Sequence, residues 1–360
     1  MPIPLFQIQK KVTILKIQYI KQTFMQLQRG FSDYYGETQY NEKTKNETIE
    51  TSGNFYVHNT IFSNHFQNRA IYLNLSSKVL LETCTFYNNS STERGGSFFI
   101  KDSDCVLVHI CCSFSSTTEW GCGYYIDFSK TTTKKNYAFE SSVSSCSGFG
   151  SAFYHFRGYI QVSNMNSSNH KITYDAAYVV QYPTETGIVN LTTAFNTSSE
   201  QESGIIIDGT FNITKCNYLN NTYTGSRNGI IKNTYSTCTF SDCSFMNNKG
   251  NNLFYKKPNI IRCYFKDNSV DMFAYYYSGS FESGDPLDSF IPHYSYDKCF
   301  DSNIFNQRNN HANLPNFEGN HIRTYYEYER DKFGIDDVKQ IALNAYKTSF
   351  VEIINLPGLI

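Results

Sequence analysis

The residues best suited to chemistry in this chain are carboxylates: Asp102 with Asp104, Asp127, Asp208, and Asp267 with Asp271. Hydrolysis of a glycosidic bond takes two carboxyl groups that flank it, one as acid and one as base or nucleophile. Asp102 and Asp127 form the best candidate pair, because Lys101 and Asp127 hold the same place in successive repeats of the chain. The same spacing lets Lys101 pair with Asp127 in a solvated polar ladder, and this plainer reading is the one adopted. His58, His65, His109, His155 and His170 fall at different places in different repeats, and they read as structural imidazoles rather than as bases. A calcium-dependent lyase would want clustered acids and an arginine base, and Arg157 has no such cluster near it in sequence. The Asn-Thr-Asp, Asp-Asp and Gly-His-Gly signatures of polygalacturonases are absent from the repeats, and the Asp-Asp pair that does occur, Asp336-Asp337, stands in the tail.

Eleven cysteines form an odd set, with no CxxC pair and no Cys/His grouping at zinc-site spacing, so neither a structural metal nor any other cofactor is expected. Five of them, Cys84, Cys112, Cys216, Cys243 and Cys263, each stand two residues before an aromatic, as in Cys84-Thr85-Phe86 and Cys243-Ser244-Phe245. Read together they predict a column of buried thiols rather than disulfides or ligands.

That phrase belongs to a repeat. An apolar residue, a small residue three on, an aromatic two further and then Asn recur as Leu81-Cys84-Phe86, Ile213-Cys216-Tyr218, Phe240-Cys243-Phe245 and Ile260-Cys263-Phe265. Weaker copies put Thr60, Cys112, Ser142, Met165, Thr193 and Cys299 at the small position. A second column follows, in which three mostly apolar residues precede a polar one: Ile71-Tyr72-Leu73-Asn74, Phe98-Phe99-Ile100-Lys101, Tyr124-Tyr125-Ile126-Asp127 and Leu253-Phe254-Tyr255-Lys256. The steps are roughly 20 to 30 residues, the scale of one solenoid coil. The fold predicted is all-β, a right-handed parallel β-helix of about ten coils, in which each strand pairs with its counterpart in the next coil roughly 4.8 Å away. Residues 1–54 read as a basic leader and irregular cap, 55–305 as the β-helix, and 306–360 as a tail with a short α-helix near 335–348.

Strand alternation puts the middle residue of each triplet on the opposite face from its neighbours. The polar residue that follows each triplet shares the middle residue's parity, so Tyr72, Phe99, Tyr125, Tyr154, Phe254 and Tyr275 are expected to form an outward aromatic stripe, a binding surface for a glycan or protein ligand. A register shifted by one would place them in the core instead.

A net charge of -1 offers no basic surface for nucleic acid, and no run of about 18 apolar residues suggests a membrane span. Lysines at 10, 11, 16 and 21 interrupt the N-terminal region, so no standard signal peptide is expected, although nine N-x-S/T sequons would suit a secreted chain. Localisation is left open, and a monomer is expected.

The phrases Tyr34-Tyr35-Gly36-Glu37-Thr38, Asn41-Glu42-Lys43-Thr44 and Gly53-Asn54-Phe55-Tyr56-Val57, with the Cys-x-Phe coils, resemble the large β-helix surface-protein families of trichomonad protists. The resemblance covers roughly residues 31–305 and implies the fold and a surface location. The tail 325–350, with Glu327-Tyr328, Phe333-Gly334 and Ala342-Leu343-Asn344-Ala345, is similar to the last helices of the adenosine deaminase family, but that family's His-x-His and Asp pair have no counterpart here. The functional expectation is a non-enzymatic repeat protein that presents an adhesive or ligand-binding surface. The alternatives are a carbohydrate-active β-helix enzyme, lyase or hydrolase, and an inactive family member fused to a deaminase-like tail.

Overall fold

Short strands joined by corners, most of them marked by one residue of left-handed backbone, build each coil. In one coil the strands Lys78–Glu82, Thr85–Tyr87, Ser90–Ser91 and Phe98–Lys101 follow one another, and Asp104–Val108, Cys111–Ser113, Ser116–Thr117 and Tyr124–Asp127 repeat the order in the next. The corners fall at Thr83, Asn88 and Asp102, all with φ near +52°, and at their counterparts His109 and Phe114 with φ of 54°. Asn and Asp tolerate this conformation because a short polar side chain bonds the nearby backbone, which is why Asn is so frequent after the aromatic. The computed structural model describes residues 30–274 apart from 75–76, 131, 202, 227 and 235–237. The predicted tail helix, Tyr275 and Cys299 lie outside these residues.

Strands pair in parallel with their counterparts one coil away, giving an all-β parallel solenoid. The first two segments of a coil belong to one sheet and the other two to a second. Where sequence spacing gave two strands per repeat, the structure has four, because two of the segments are too short to show alternation. The parallel stack also includes Asn41–Lys43, which pairs with Phe55–Val57 inside the segment read as a cap. A five-residue helix, Phe31–Tyr35, precedes it and packs Phe31 and Tyr35 against the outward side chains of Leu80 and Val106.

The interior is filled by two facing columns whose sizes compensate. On the second strand of each coil the inward column runs Phe62, Phe86, Cys112, Val143, Ser167, Ala194, Tyr218, Phe245, Phe265. On the fourth it runs Ile71, Phe98, Tyr124, Phe153, Tyr178, Ile205, Ile231. Where the first column shrinks to Cys, Val, Ser and Ala, the second supplies Tyr124, Phe153 and Tyr178, stacked with ring centroids 5.5 and 5.2 Å apart. At the hand-over, the Tyr178 and Tyr218 hydroxyls meet at 2.9 Å.

This exchange corrects the cysteine column. Cys84, Cys216, Cys243 and Cys263 occupy one place, continued by Thr60, Ile110, Ser141, Met165 and Thr192, whereas Cys112 stacks on Phe86 in the aromatic column. All five are buried with free thiols. Cys112-Ser113-Phe114 imitates the Cys-x-Phe phrase, but Phe114 sits at the left-handed corner, 45 % exposed, where most coils carry Asn. A bulky side chain there costs about 1–2 kcal/mol. Phe114→Asn is therefore expected to raise the unfolding free energy by about 1 kcal/mol, read as a higher urea midpoint at unchanged slope.

Just past that corner lies a buried polar ladder: Asn89, Ser115, Cys146, His170, Thr197, Asn221, Asn248, Asn268 in successive coils. Its bonds repeat. The backbone N–H of one member donates to the side chain of the next, as from Thr197 to Asn221 Oδ1 at 3.3 Å, Asn221 to Asn248 Oδ1 at 3.0 Å and Asn248 to Asn268 Oδ1 at 3.1 Å. His170 takes the asparagine role with Nδ1, which accepts from the Cys146 N–H at 3.1 Å.

Candidate functional site

The triplet column aligns in the pleated sheet as Tyr72, Phe99, Tyr125, Tyr154, Val179 and Ile206. Their neighbours on both sides, such as Ile71 and Leu73 or Tyr124 and Ile126, belong to the interior, so this column projects from the outer face. Ring centroids step 5.8, 5.5 and 4.4 Å from Tyr72 through Phe99 and Tyr125 to Tyr154.

Three expectations need correction. Phe254 pairs with Ile231 and Ala274, so it is a core residue, with its ring 5.3 Å from those of Phe240 and Phe245. The strand Lys249–Phe254 runs without a break through the place of two segments, and this shifts the phase by one; in the preceding coil Lys232 takes the outward place. Phe99 and Tyr125, although outward, are only 8 % and 4 % exposed. Neighbouring rings one rung apart pack on each other, edge-on between Phe99 and Tyr125 and stacked between Tyr125 and Tyr154, and arginines lie over them: Arg69 is 5.0 Å from the Tyr72 centroid and 5.6 Å from Phe99, and Arg94 is 5.2 Å from Tyr125. Tyr72 and Tyr154 stay partly exposed.

The arginines are held by acids. Arg69 binds Glu93 at 2.7 Å and Ser91 Oγ at 3.2 Å, while Arg94 reaches both Glu119 and Asp127 at 3.4 Å. Burial pushes the Asp127 carboxyl up, against the pull of Arg94 and Lys101. Lys101 and Asp127 do occupy paired positions. Asp102 accepts the Ser129 N–H at 2.8 Å and its hydroxyl at 2.9 Å. Asp208 accepts the Thr234 N–H at 2.6 Å, and Asp104 the Lys135 N–H at 2.7 Å. These carboxylates each have a local partner, and the face combines aromatic rings, cations and hydrogen-bond acceptors, a set suited to holding a polyhydroxylated or charged ligand.

Sequence reading missed a second aromatic column beside the first. Trp120, Phe149 and Tyr174 follow one another up the stack, with Trp120 edge-on to Phe149 at 5.5 Å and to Tyr174 at 4.9 Å, and Phe149 stacked on Tyr174 at 5.2 Å. Trp120 also meets Tyr154 at 6.1 Å, which joins the two columns. A signal was present: each stands four residues before the first member of a triplet, as Arg94 does in the preceding coil, and glycine follows in Arg94-Gly95, Trp120-Gly121 and Phe149-Gly150. Gly95 and Gly121 have φ of 76° and 73°, and a Cβ on them would come within 2.2 and 2.4 Å of the Phe98 and Tyr124 carbonyl oxygens. The turn that presents Arg94 and Trp120 therefore requires glycine.

Alongside Phe149 runs a groove of about 560 Å³, bordered by Thr117, Thr118, Gly148, Phe149, Lys171, Ile172, Thr173, Ser198 and Glu200.

The histidines are structural in placement. His58 and His109 pair with Glu42 and Glu140 at 2.6 and 2.7 Å, His65 meets Asn46 at 2.6 Å, and His155 and His170 are buried inside. Burial pushes the Cys84 thiol up to about 12. Among the described residues no group of three or more His, Cys, Asp or Glu is placed to hold a metal, and no helix is long and apolar enough to cross a membrane. Compared with protein-family models, curated proteins and solved structures, the chain matches none.

Proposed function

We propose that the protein is a non-enzymatic solenoid presenting a ligand-binding or adhesive surface on the outer face that carries Tyr72, Phe99, Tyr125 and Tyr154. We take its coils to be right-handed, the sense parallel crossovers adopt, and about ten in number. The observation that carries the reading is the unbroken run of outward rings clamped by Arg69 and Arg94. A surface that served solubility alone would carry separate polar side chains there. The resemblance to trichomonad β-helix surface proteins supports the same reading, with the tail as an addition outside it.

Binding to an array of immobilised glycans and proteins tests this. Tyr72→Ser with Tyr154→Ser is expected to weaken the best-bound ligand at least 10-fold, while each change costs less stability than loss of Phe99 or Tyr125 because both rings are partly exposed; unchanged binding in the folded variant would refute the surface. Phe99→Ser and Tyr125→Ser are the wrong probes, since each removes a buried ring at a cost of about 2–4 kcal/mol.

A carbohydrate-active enzyme is the second reading, and the raised Asp127 carboxyl is the observation in its favour. Among the described residues Asp102 is held by Ser129 and Glu119 by the same Arg94 that reaches Asp127, so neither is a free partner carboxylate for it. Purified protein is expected to leave pectin, other polyuronides and adenosine unchanged. Turnover abolished by Asp127→Asn would reverse the order.

A further inference from the structure

Of the hydroxyls that border the groove beside Phe149, Thr117 and Thr118 donate theirs to the Glu93 and Thr92 carbonyls, while those of Thr173 and Ser198 bond nothing among the described residues. Ser116, Ser147, Lys171 and Ser198 form one outward column, joined rung to rung by parallel pairs. Among the described residues, the hydroxyls of Ser116, Ser147 and Ser198 have no hydrogen-bond partner in the protein, although all three can donate and accept. The column advances roughly 4.8 Å per rung, so the groove, which crosses four rungs, extends about 14 Å along the stack. Phe149 forms a side of it, 37 % exposed, with its ring fixed by Tyr174 and Trp120. One cation and one anion, Lys171 and Glu200, border it, and neither enters an ion pair among the described residues.

We propose that this groove binds a neutral polysaccharide chain laid along the solenoid axis, with one sugar stacked on Phe149 and its neighbours hydrogen-bonded to successive rungs. The inference extends the binding reading above to a second site with its own ligand class, so that either can fail without the other. Each feature selects this occupant. An aromatic ring held rigidly at a groove wall offers a flat apolar face to the C–H side of a pyranose. Unbonded hydroxyls on three successive rungs, Ser147 beside the groove and Thr173 and Ser198 on its border, suit a ligand that itself repeats hydroxyls at the length of one sugar. Lys171 and Glu200 cancel, so a polyanion gains no net attraction. A peptide strand has no purchase by backbone pairing, because the strand segments here are already paired on both sides.

Trp120 is the single tryptophan of the chain and touches Phe149, so its emission reports this groove directly. The full chain is titrated with soluble β-glucan, mannan and galactan, and with polygalacturonate, while Trp120 emission and retardation in polysaccharide-containing native gels are followed. At least one neutral polymer is expected to give saturable binding that is insensitive to salt, weakened at least 10-fold by Phe149→Ala and by Ser198→Arg, and changed less than 2-fold by Ile188→Ser, at an exposed position of the other sheet. Binding lost with Tyr72→Ser but kept with Phe149→Ala overturns the groove and leaves the outer surface standing. Binding of polygalacturonate alone, weakened by salt, overturns the neutral class. Absence of polysaccharide binding beside stripe-dependent binding of another ligand overturns the groove proposal only, and absence of any ligand overturns both.

Discussion

Between pH 7 and pH 5 the protein is expected to lose about 4 kcal/mol of unfolding free energy through two buried histidines. Burial pushes His155 and His170 down to about 3 from an ordinary value of 6.5. Their hydrogen bonds fit the neutral ring. Asn136 donates its amide to the Arg157 carbonyl at 2.8 Å, so its Oδ1 accepts from His155 Nδ1–H at 2.6 Å, and Nε2 accepts the Tyr124 hydroxyl at 3.0 Å. His170 accepts the Cys146 N–H on Nδ1 and donates from Nε2 to Ser167 Oγ at 3.1 Å. Protonation would set the His170 Nδ1–H against the Cys146 N–H and would leave a charge without solvent at both rings. Unfolded chains take up these protons near pH 6.5 while the folded chain does not, so stability is full above 6.5 and falls toward pH 3 by about 1.4 kcal/mol per unit per histidine. At pH 5 that is about 2 kcal/mol each. Asp127, whose carboxyl is raised, acts in the opposite direction at the acid end of the window. Urea unfolding at the two pH values measures the loss. His170→Asn, which installs the residue most frequent in that ladder, should remove about half of it. An unchanged midpoint at pH 5, or imidazole NMR signals titrating near 6.5, would refute the assignment.

The parallel solenoid was legible because its period is written in residue types that a coil requires. Apolar positions face the interior, Asn marks the corner, and both recur at coil length. What was misread has a common cause: the interior conserves volume per coil rather than residue type at each position. Cys112 could replace an aromatic because Tyr124 fills the space across the tube, and a reader of one column cannot see the other compensate. Phe114 then completed a false Cys-x-Phe phrase from a corner position. Phe254 slipped for a related reason, since Lys249–Phe254 spans two segments without the corner that would reset the count.

Parity placed the outward column at Tyr72, Phe99, Tyr125 and Tyr154, but exposure was not deducible. Whether an outward ring meets water depends on what lies over it, and Arg69 and Arg94 approach from a turn several residues earlier in their coils. Trp120, Phe149 and Tyr174 were overlooked because they stand outside strands, where period-two counting gives no signal. The glycine that follows Trp120 and Phe149, Gly121 and Gly150, carries the information instead, as Gly95 does after Arg94.

The polar ladder carries the second large effect: Asn221→Ala is expected to cost about 3 kcal/mol, and Asn220→Gly, its immediate neighbour, less than about 1. Asn221 is fully buried. Its Nδ2 donates to the Ala194 carbonyl at 3.0 Å and to Asn248 Oδ1 at 3.1 Å, and its Oδ1 accepts the Thr197 hydroxyl at 2.8 Å and N–H at 3.3 Å. Truncation removes one side chain but strands groups in both adjacent coils, and each buried group left unpaired costs about 1–3 kcal/mol. Asn220 faces solvent at φ 55°, where glycine fits the backbone and no buried partner is lost. Urea midpoints of the two variants, with equal slopes, give the comparison. Equal costs would mean that corner geometry alone holds the coils in register. A cost confined to Asn221 would show that the ladder does so, because each of its bonds runs from one coil to the next and a slip of one residue breaks every one of them.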